Sequence, residues 1–124
     1  MMNKPGRSGL SRILDATNYS RKGLRAAWRH EEAFRQEAIL AMILFPTAFW
    51  LGQTTIEQLL LIIPVALVII VELFNSAIEA AIDRIGPERH PLSGQAKDIG
   101  SAAVMISLAL CLLSWGMIIV DRFF

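Results

Sequence analysis

Charge disappears from three long windows of this chain. Residues 38–56 carry none over 19 residues, 99–120 none over 22, and 58–71 none over 14. A membrane-spanning helix needs roughly 20 mostly apolar residues. The pattern therefore predicts three crossings, provided the middle one accommodates Glu72 at the end of its apolar run. A soluble bundle of very apolar helices is the competing reading, and the window lengths favour the bilayer. The expected organisation is a cytoplasmic segment over 1–32, crossings over 33–51, 56–85 and 95–121, and a cytoplasmic loop over 86–94.

Polar punctuation refines this outline. Residues 1–9, with Pro5, Gly6 and Gly9, are expected to be poorly ordered. Leu10, Ile13, Leu14 and Thr17 share one side of a short amphipathic helix. Asn18-Tyr19-Ser20 reads as a break, with Ser20 an N-cap for the next segment. That segment, over 21–37, sets Leu24 and Trp28 beside a basic flank of Arg21, Arg25 and Arg29, as an interfacial helix would. It could run on into the first crossing. Pro46 and Pro64 fall inside crossings one and two, where each can kink its helix. Gly86-Pro87 ends the second crossing, and the third is expected to start near Ser93 or Gln95. Trp50 and Trp115 lie toward the far ends of their crossings and fit an aromatic belt.

The 124 residues suffice for one small domain, and 54% of them are hydrophobic. Residues 1–37 are polar, so the first apolar run begins too late for a signal peptide and is expected to be retained. Cys111 is the single cysteine, which excludes an internal disulfide. A net charge of +1 conceals an asymmetry. Eight Lys and Arg precede the first crossing, none lies in 52–56, and Arg84, Arg89 and Lys97 surround the second loop. By the positive-inside rule the N-terminus and second loop face the cytoplasm. Acidic residues interrupt the basic N-terminal segment and no base-stacking aromatics accompany it, so nucleic acid is not an expected partner.

Candidate chemistry concentrates on one stripe. Glu72, Asn75, Glu79 and Asp83 follow at spacings of 3, 4 and 4, which places them on one face of a helix. Glu72 falls about 8 Å inside the cytoplasmic boundary if the far boundary is near Gln58. An ionisable group there is costly and usually functional. Its apolar surround disfavours the charged form, which suits proton exchange with a hydroxyl held at the lipid surface. The opposing reading makes Glu72 and Asn75 interhelical packing contacts, with Ala77, Ala80 and Ala81 permitting close approach.

Glu31, Glu32 and Glu37 share the cytoplasmic level of Glu79 and Asp83, and two carboxylates from different helices could hold magnesium–nucleotide. Glu31 with Arg35 is equally an ordinary i,i+4 pair. Lys97-Asp98 sets a cation for phosphate beside a carboxylate. No P-loop or protein-kinase glycine loop is present, and His30 and His90 lack partners at zinc spacing.

Glu72-Leu-Phe-Asn75-Ser-Ala-Ile-Glu79-Ala-Ala-Ile-Asp83-Arg84 resembles the signature of the small prokaryotic integral-membrane diacylglycerol kinases. So do the stretch from Ala16 through Tyr19-Ser20 and Gly23 to Trp28, then Glu31, Phe34-Arg35-Gln36-Glu37, and Gly94-Gln-Ala-Lys97-Asp98-Ile-Gly100-Ser101. The likeness spans about residues 12–120. It implies an all-α homotrimer of three-crossing subunits with an amphipathic surface helix, set in the bacterial inner membrane, with active sites between subunits. It also implies transfer of phosphate from MgATP to the hydroxyl of diacylglycerol, giving phosphatidate. On this resemblance Glu72 is the catalytic base, and Glu31 and Glu79 are the metal-binding carboxylates. Arg12, Tyr19, Glu31, Glu79, Glu88, Arg89, His90, Lys97 and Asp98 face ATP, while Arg12, Asn75, Ser101 and Trp115 face the lipid. Thr17 stands where a small alanine is usual, and Arg89 where an aromatic is. Undecaprenol kinase is the alternative within the same chemistry. A small oligomeric proton channel lined by Glu72 is the alternative outside it.

Overall fold

The computed structural model describes residues 8–124 as four helices: α1 (Gly9–His30), α2 (Glu32–Leu51), α3 (Thr55–Ile85) and α4 (Pro91–Phe123). Most of the expectation about 1–9, with Lys4 and Arg7, lies outside the described residues. Its last two residues are ordered: Ser8 caps α1, its hydroxyl accepting from the Ser11 N–H, and Gly9 begins the helix.

Asn18-Tyr19-Ser20 is no break, because α1 runs through it. Polar side chains here bond along the helix instead of competing with its backbone. Thr17 Oγ1 donates to the Ile13 carbonyl at 2.8 Å, and the Arg21 guanidinium donates to Asn18 Oδ1 at 3.2 Å. The interruption comes later, at Glu31, whose extended backbone separates α1 from α2. Arg35 stabilises it by donating to the carbonyls of Trp28 and Arg29, at 2.8 and 3.2 Å, which α1 leaves unpaired at its end. The 21–37 segment is therefore two helices, and α1 does not continue into α2.

The charge-free window 38–56 also contains a turn. Gly52 closes α2, and a Cβ there would stand 2.7 Å from Gln58 Cγ and 2.8 Å from Gln58 N. Only glycine fits that approach. The Gln58 amide donates back to the Phe49 and Gly52 carbonyls, at 3.3 and 3.2 Å, and Thr54 caps α3 by accepting from the Glu57 N–H at 3.1 Å. The uncharged helical part of α2 is thus 38–51, about 21 Å at 1.5 Å per residue. Two helices, α3 and α4, are long and apolar enough to cross a bilayer. At the other end α3 stops where expected, at Gly86 with φ +152°. Helix α4 begins at Pro91, ahead of Ser93 or Gln95, because proline suits a first helical turn and His90 Nδ1 accepts from the Leu92 N–H.

Helix α3 is the centre of the molecule, packed against α4 and, on another side, against α2. Its buried positions are Leu61, Val65, Val68, Glu72 and Ser76, a single stripe at helical spacing. The apolar end of that stripe meets Ala48 and Leu51 of α2, with Trp115 and Ile118 of α4 alongside. Pro64 lies in this region and has no N–H for the Leu60 carbonyl. Helix α4 supplies the missing donor, Ser114 Oγ reaching the Leu60 carbonyl at 2.6 Å, and beside it the Trp115 indole N–H reaches the Leu61 carbonyl at 2.9 Å. The proline becomes the point at which α3 and α4 are joined.

Ser114→Ala is expected to lower stability in micelles by about 1 kcal/mol, the scale of an interhelical hydrogen bond. In a Pro64→Ala background residue 64 supplies its own N–H and the cost should shrink. Thermal melts of the four proteins check this, and an equal cost in both backgrounds would refute the compensation.

Candidate functional site

Along α3 the buried stripe changes chemistry at Glu72. Val65 and Val68 precede it and Ser76 follows it, so the carboxyl group occupies a position that packing has reserved for a core side chain. Glu72 is 5% exposed. One and two turns further on come Asn75, Ser76 and Glu79, then Asp83 at the exposed end.

Other elements bring more acid to this level. Glu31 and Glu79 are close enough for their charges to act on Glu72, and so is Glu37 of α2. Oε2 of Glu37 is buried without a hydrogen-bond partner, as is Ser76 Oγ. Among the described residues, Glu31, Glu37, Glu72 and Glu79 receive no ion pair. The capping role of Arg35 explains part of this, since its guanidinium goes to the end of α1 and the expected i,i+4 pair with Glu31 does not form. Lys97 is occupied at the exposed end, paired with Asp83 at 3.0 Å. Four acids with little compensation form a cation-seeking arrangement. Among the described residues no three His, Cys, Asp or Glu side chains converge as a metal site. A hard divalent ion needs fewer: one or two carboxylates, with phosphate and water completing the shell. The all-oxygen pair Glu31 and Glu79 fits magnesium in that sense.

Two clefts flank the acids. One, of about 560 Å³, lies between α1 and α3 and is bounded by Leu24, Ala27, Glu31, Ser76, Ala77 and Ala80. Small side chains on both helices open it, and its walls pass from apolar to the Glu31 carboxylate. The other, of about 660 Å³, is formed by the 86–90 loop and the start of α4, with Asp83, Glu88, Arg89, His90 and Lys97 on its walls.

These clefts bring together part of the expected set. Glu88, Arg89, His90 and Lys97 share the loop cleft, while Glu31 borders the helical one. Arg12 is exposed on α1 and borders neither. Tyr19 is half-buried there, with the Lys22 ammonium 5.9 Å from its ring centroid. Asp98 and Ser101 are exposed on α4. Trp115 is at the other end, donating to Leu61, which precedes Glu72 by eleven residues or about 16 Å of helix. Within the chain it packs against the Ala48, Leu51 and Leu61 cluster.

Glu37, Ser76 and Gly100, which stood in the quoted stretches without an assigned site role, also belong to the neighbourhood. Ser76 was available from its i+4 relation to Glu72. Glu37 carried a subtler signal, being the last charge before a 19-residue uncharged window. Gly100 stood in the quoted 94–101 stretch, with nothing there to say which side chain it would meet.

The model for "prokaryotic diacylglycerol kinase" matches residues 18–119. A diacylglycerol kinase of Escherichia coli strain K12 is 50% identical over 116 residues, covering 94% of this chain and 95% of that protein. One from Haemophilus influenzae is 51% identical over 112 residues, covering 90% and 95%. One from Pseudomonas aeruginosa is 50% identical over 114 residues, covering 92% and 93%. With the family model spanning most of its length and half its residues shared with these relatives, the chain belongs to the prokaryotic diacylglycerol kinase family.

Proposed function

We propose that this protein transfers the γ-phosphoryl group of ATP to the free hydroxyl of diacylglycerol, giving phosphatidate. The observation that carries the mechanism is the burial of Glu72 in the packed stripe of α3, within electrostatic reach of Glu31 and Glu79. Phosphoryl transfer needs the acceptor aligned with the phosphate, charge neutralised and the nucleophile oriented. Glu31 and Glu79, on separate elements, hold the magnesium–ATP complex at the cytoplasmic edge. Magnesium, when bound, offsets charge on the transferring phosphate. Glu88, Arg89, His90 and Lys97 border the loop cleft as the nucleotide side of the site. Arg12, Tyr19 and Asp98, outside both clefts in the single chain, complete it in the assembly. The lipid hydroxyl approaches from the bilayer side, where Glu72 orients it and takes its proton as the phosphate arrives. Ser101 belongs to the lipid side, and Asn75 to the place where the lipid hydroxyl meets the phosphate.

The membrane arrangement follows the same reading. Helices α2, α3 and α4 cross the inner membrane, with the N-terminus and the 86–90 loop cytoplasmic. Helix α1 lies on the surface with Leu10, Ile13, Leu14, Leu24 and Trp28 exposed for contact with lipid. Only 6% of the most apolar window of α4 is buried within the chain. That face needs lipid or other copies, and the homotrimer implied by resemblance, with sites shared between subunits, supplies both. A proton channel is disfavoured because the stripe beyond Glu72 continues as Val68, Val65 and Leu61, without polar groups.

Glu72→Gln is expected to lower kcat at least about 100-fold, the usual scale for removing a general base. Labelled-ATP transfer in mixed micelles checks this, with diacylglycerol and undecaprenol offered separately. Near-normal turnover in an intact assembly would remove Glu72 from the role of base, and preference for undecaprenol would reassign the substrate. A second expectation concerns Glu37. Replacing this half-buried acid, whose Oε2 is buried without a partner beside another acid, with Met should raise stability by about 1 kcal/mol. A melt below wild type would show instead that the assembled protein gives Oε2 a donor.

A further inference from the structure

Asn75 lies one turn beyond Glu72, and its Oδ1 is buried with no hydrogen-bond donor. What this oxygen meets is the backbone of α4. A Cβ on Gly100 would overlap Asn75 Oδ1 and would stand 3.4 Å from Asn75 Cγ and 3.8 Å from Ile78 Cδ1. Gly100 is itself buried. The carboxamide oxygen thus fills the space that any other residue at position 100 would need for its side chain.

The two ends of the carboxamide are not interchangeable at this contact. Oxygen over a Cα–H makes a weak favourable interaction. An NH2 group in its place would press hydrogen against hydrogen and bury donors without acceptors. The carbonyl end is therefore the end turned to α4. The NH2 end is not among the buried unpartnered atoms, and Asn75 as a whole is only half-buried, so it is left on the open side of α3.

We propose that Gly100 is a positioning residue for phosphoryl transfer. Lacking a side chain, it lets α4 close on Asn75 and fixes the carboxamide with its NH2 toward the reacting groups, as a donor to the oxygens of the phosphoryl group in transit. This rests on the diacylglycerol kinase reading above. A donor fixed in place acts most on the oxygens that carry charge during transfer, so its loss lowers kcat more than it raises KM. Gly100 touches none of the reacting groups and works only through Asn75.

The test is a double-mutant cycle of Gly100→Ala and Asn75→Ala on the full protein in mixed micelles, with assembly size and melting temperature measured in parallel. Wild-type diacylglycerol phosphorylation is measured first, because its absence would overturn the parent reading and this one together. With that activity present, Gly100→Ala is expected to lower kcat about tenfold or more, with both KM values within about twofold. In the Asn75→Ala background, where the oxygen is gone, Gly100→Ala should change kcat less than about twofold. A Gly100→Ala protein within about twofold of wild type, or an equal loss in both backgrounds, overturns the proposal while leaving the kinase reading intact. Should Gly100→Ala fail to assemble, or Asn75→Ala have no measurable turnover, the melts decide. The double variant must then assemble and melt no lower than Asn75→Ala, and equal destabilisation in both backgrounds overturns the proposal.

Discussion

The burial of Glu72 constrains everything around it. A carboxyl group set in the stripe that otherwise holds Leu61, Val65, Val68 and Ser76 has lost most of its water. Its energetic cost is tolerated only if the surrounding helices pack independently of it. They do so at the opposite end, where Ala48, Leu51 and Leu61 form a small core and two hydrogen bonds from α4 join it to α3 beside Pro64. The molecule is divided in this way. One end is closed by packing, and the other is opened by small residues, acids and a loop.

That division gives the lipid kinase reading its physical logic. The acyl chains of diacylglycerol hold it in the bilayer with its one free hydroxyl at the edge, and ATP is confined to water, so a productive site must lie where the two can meet. The acids descend from Asp83 at the exposed end to Glu72 in the packed interior. Glu31 reaches the same level because the α1–α2 junction breaks there, held by Arg35 on the carbonyls of α1. Had α1 continued into α2, Glu31 would belong to a continuous helix with Arg35 one turn along as its natural partner. The capping contact thus frees a carboxylate as well as turning the chain.

Much of this was legible in the residues. The three uncharged windows mark the apolar helices, Gly86 marks the end of α3, and the 3, 4, 4 spacing puts the acidic stripe on one face. Where the reading departed, the reason is local. Asn18 and Ser20 usually signal a break, yet side-chain bonds along the helix leave the backbone of α1 intact. Nothing in the types of His30 and Glu31 announces a junction, which depends on a guanidinium four residues later. The 19-residue window was too long for one helix because turns need not contain charge. Glu37, Ser76 and Gly100 were in view as residues, but what each one meets is set by packing, which periodicity alone does not resolve.

The central claim is that nucleotide bound at the cytoplasmic edge lies within one or two helical turns of Glu72. Manganese, substituted for magnesium, tests it by paramagnetic relaxation. In protein labelled at glutamate and tryptophan, manganese–ATP should broaden the Glu72 carboxyl signal strongly and leave the Trp115 indole, about 16 Å of helix beyond it, far less affected. Broadening centred on Trp115, or an unchanged Glu72 signal with nucleotide bound, would contradict the account.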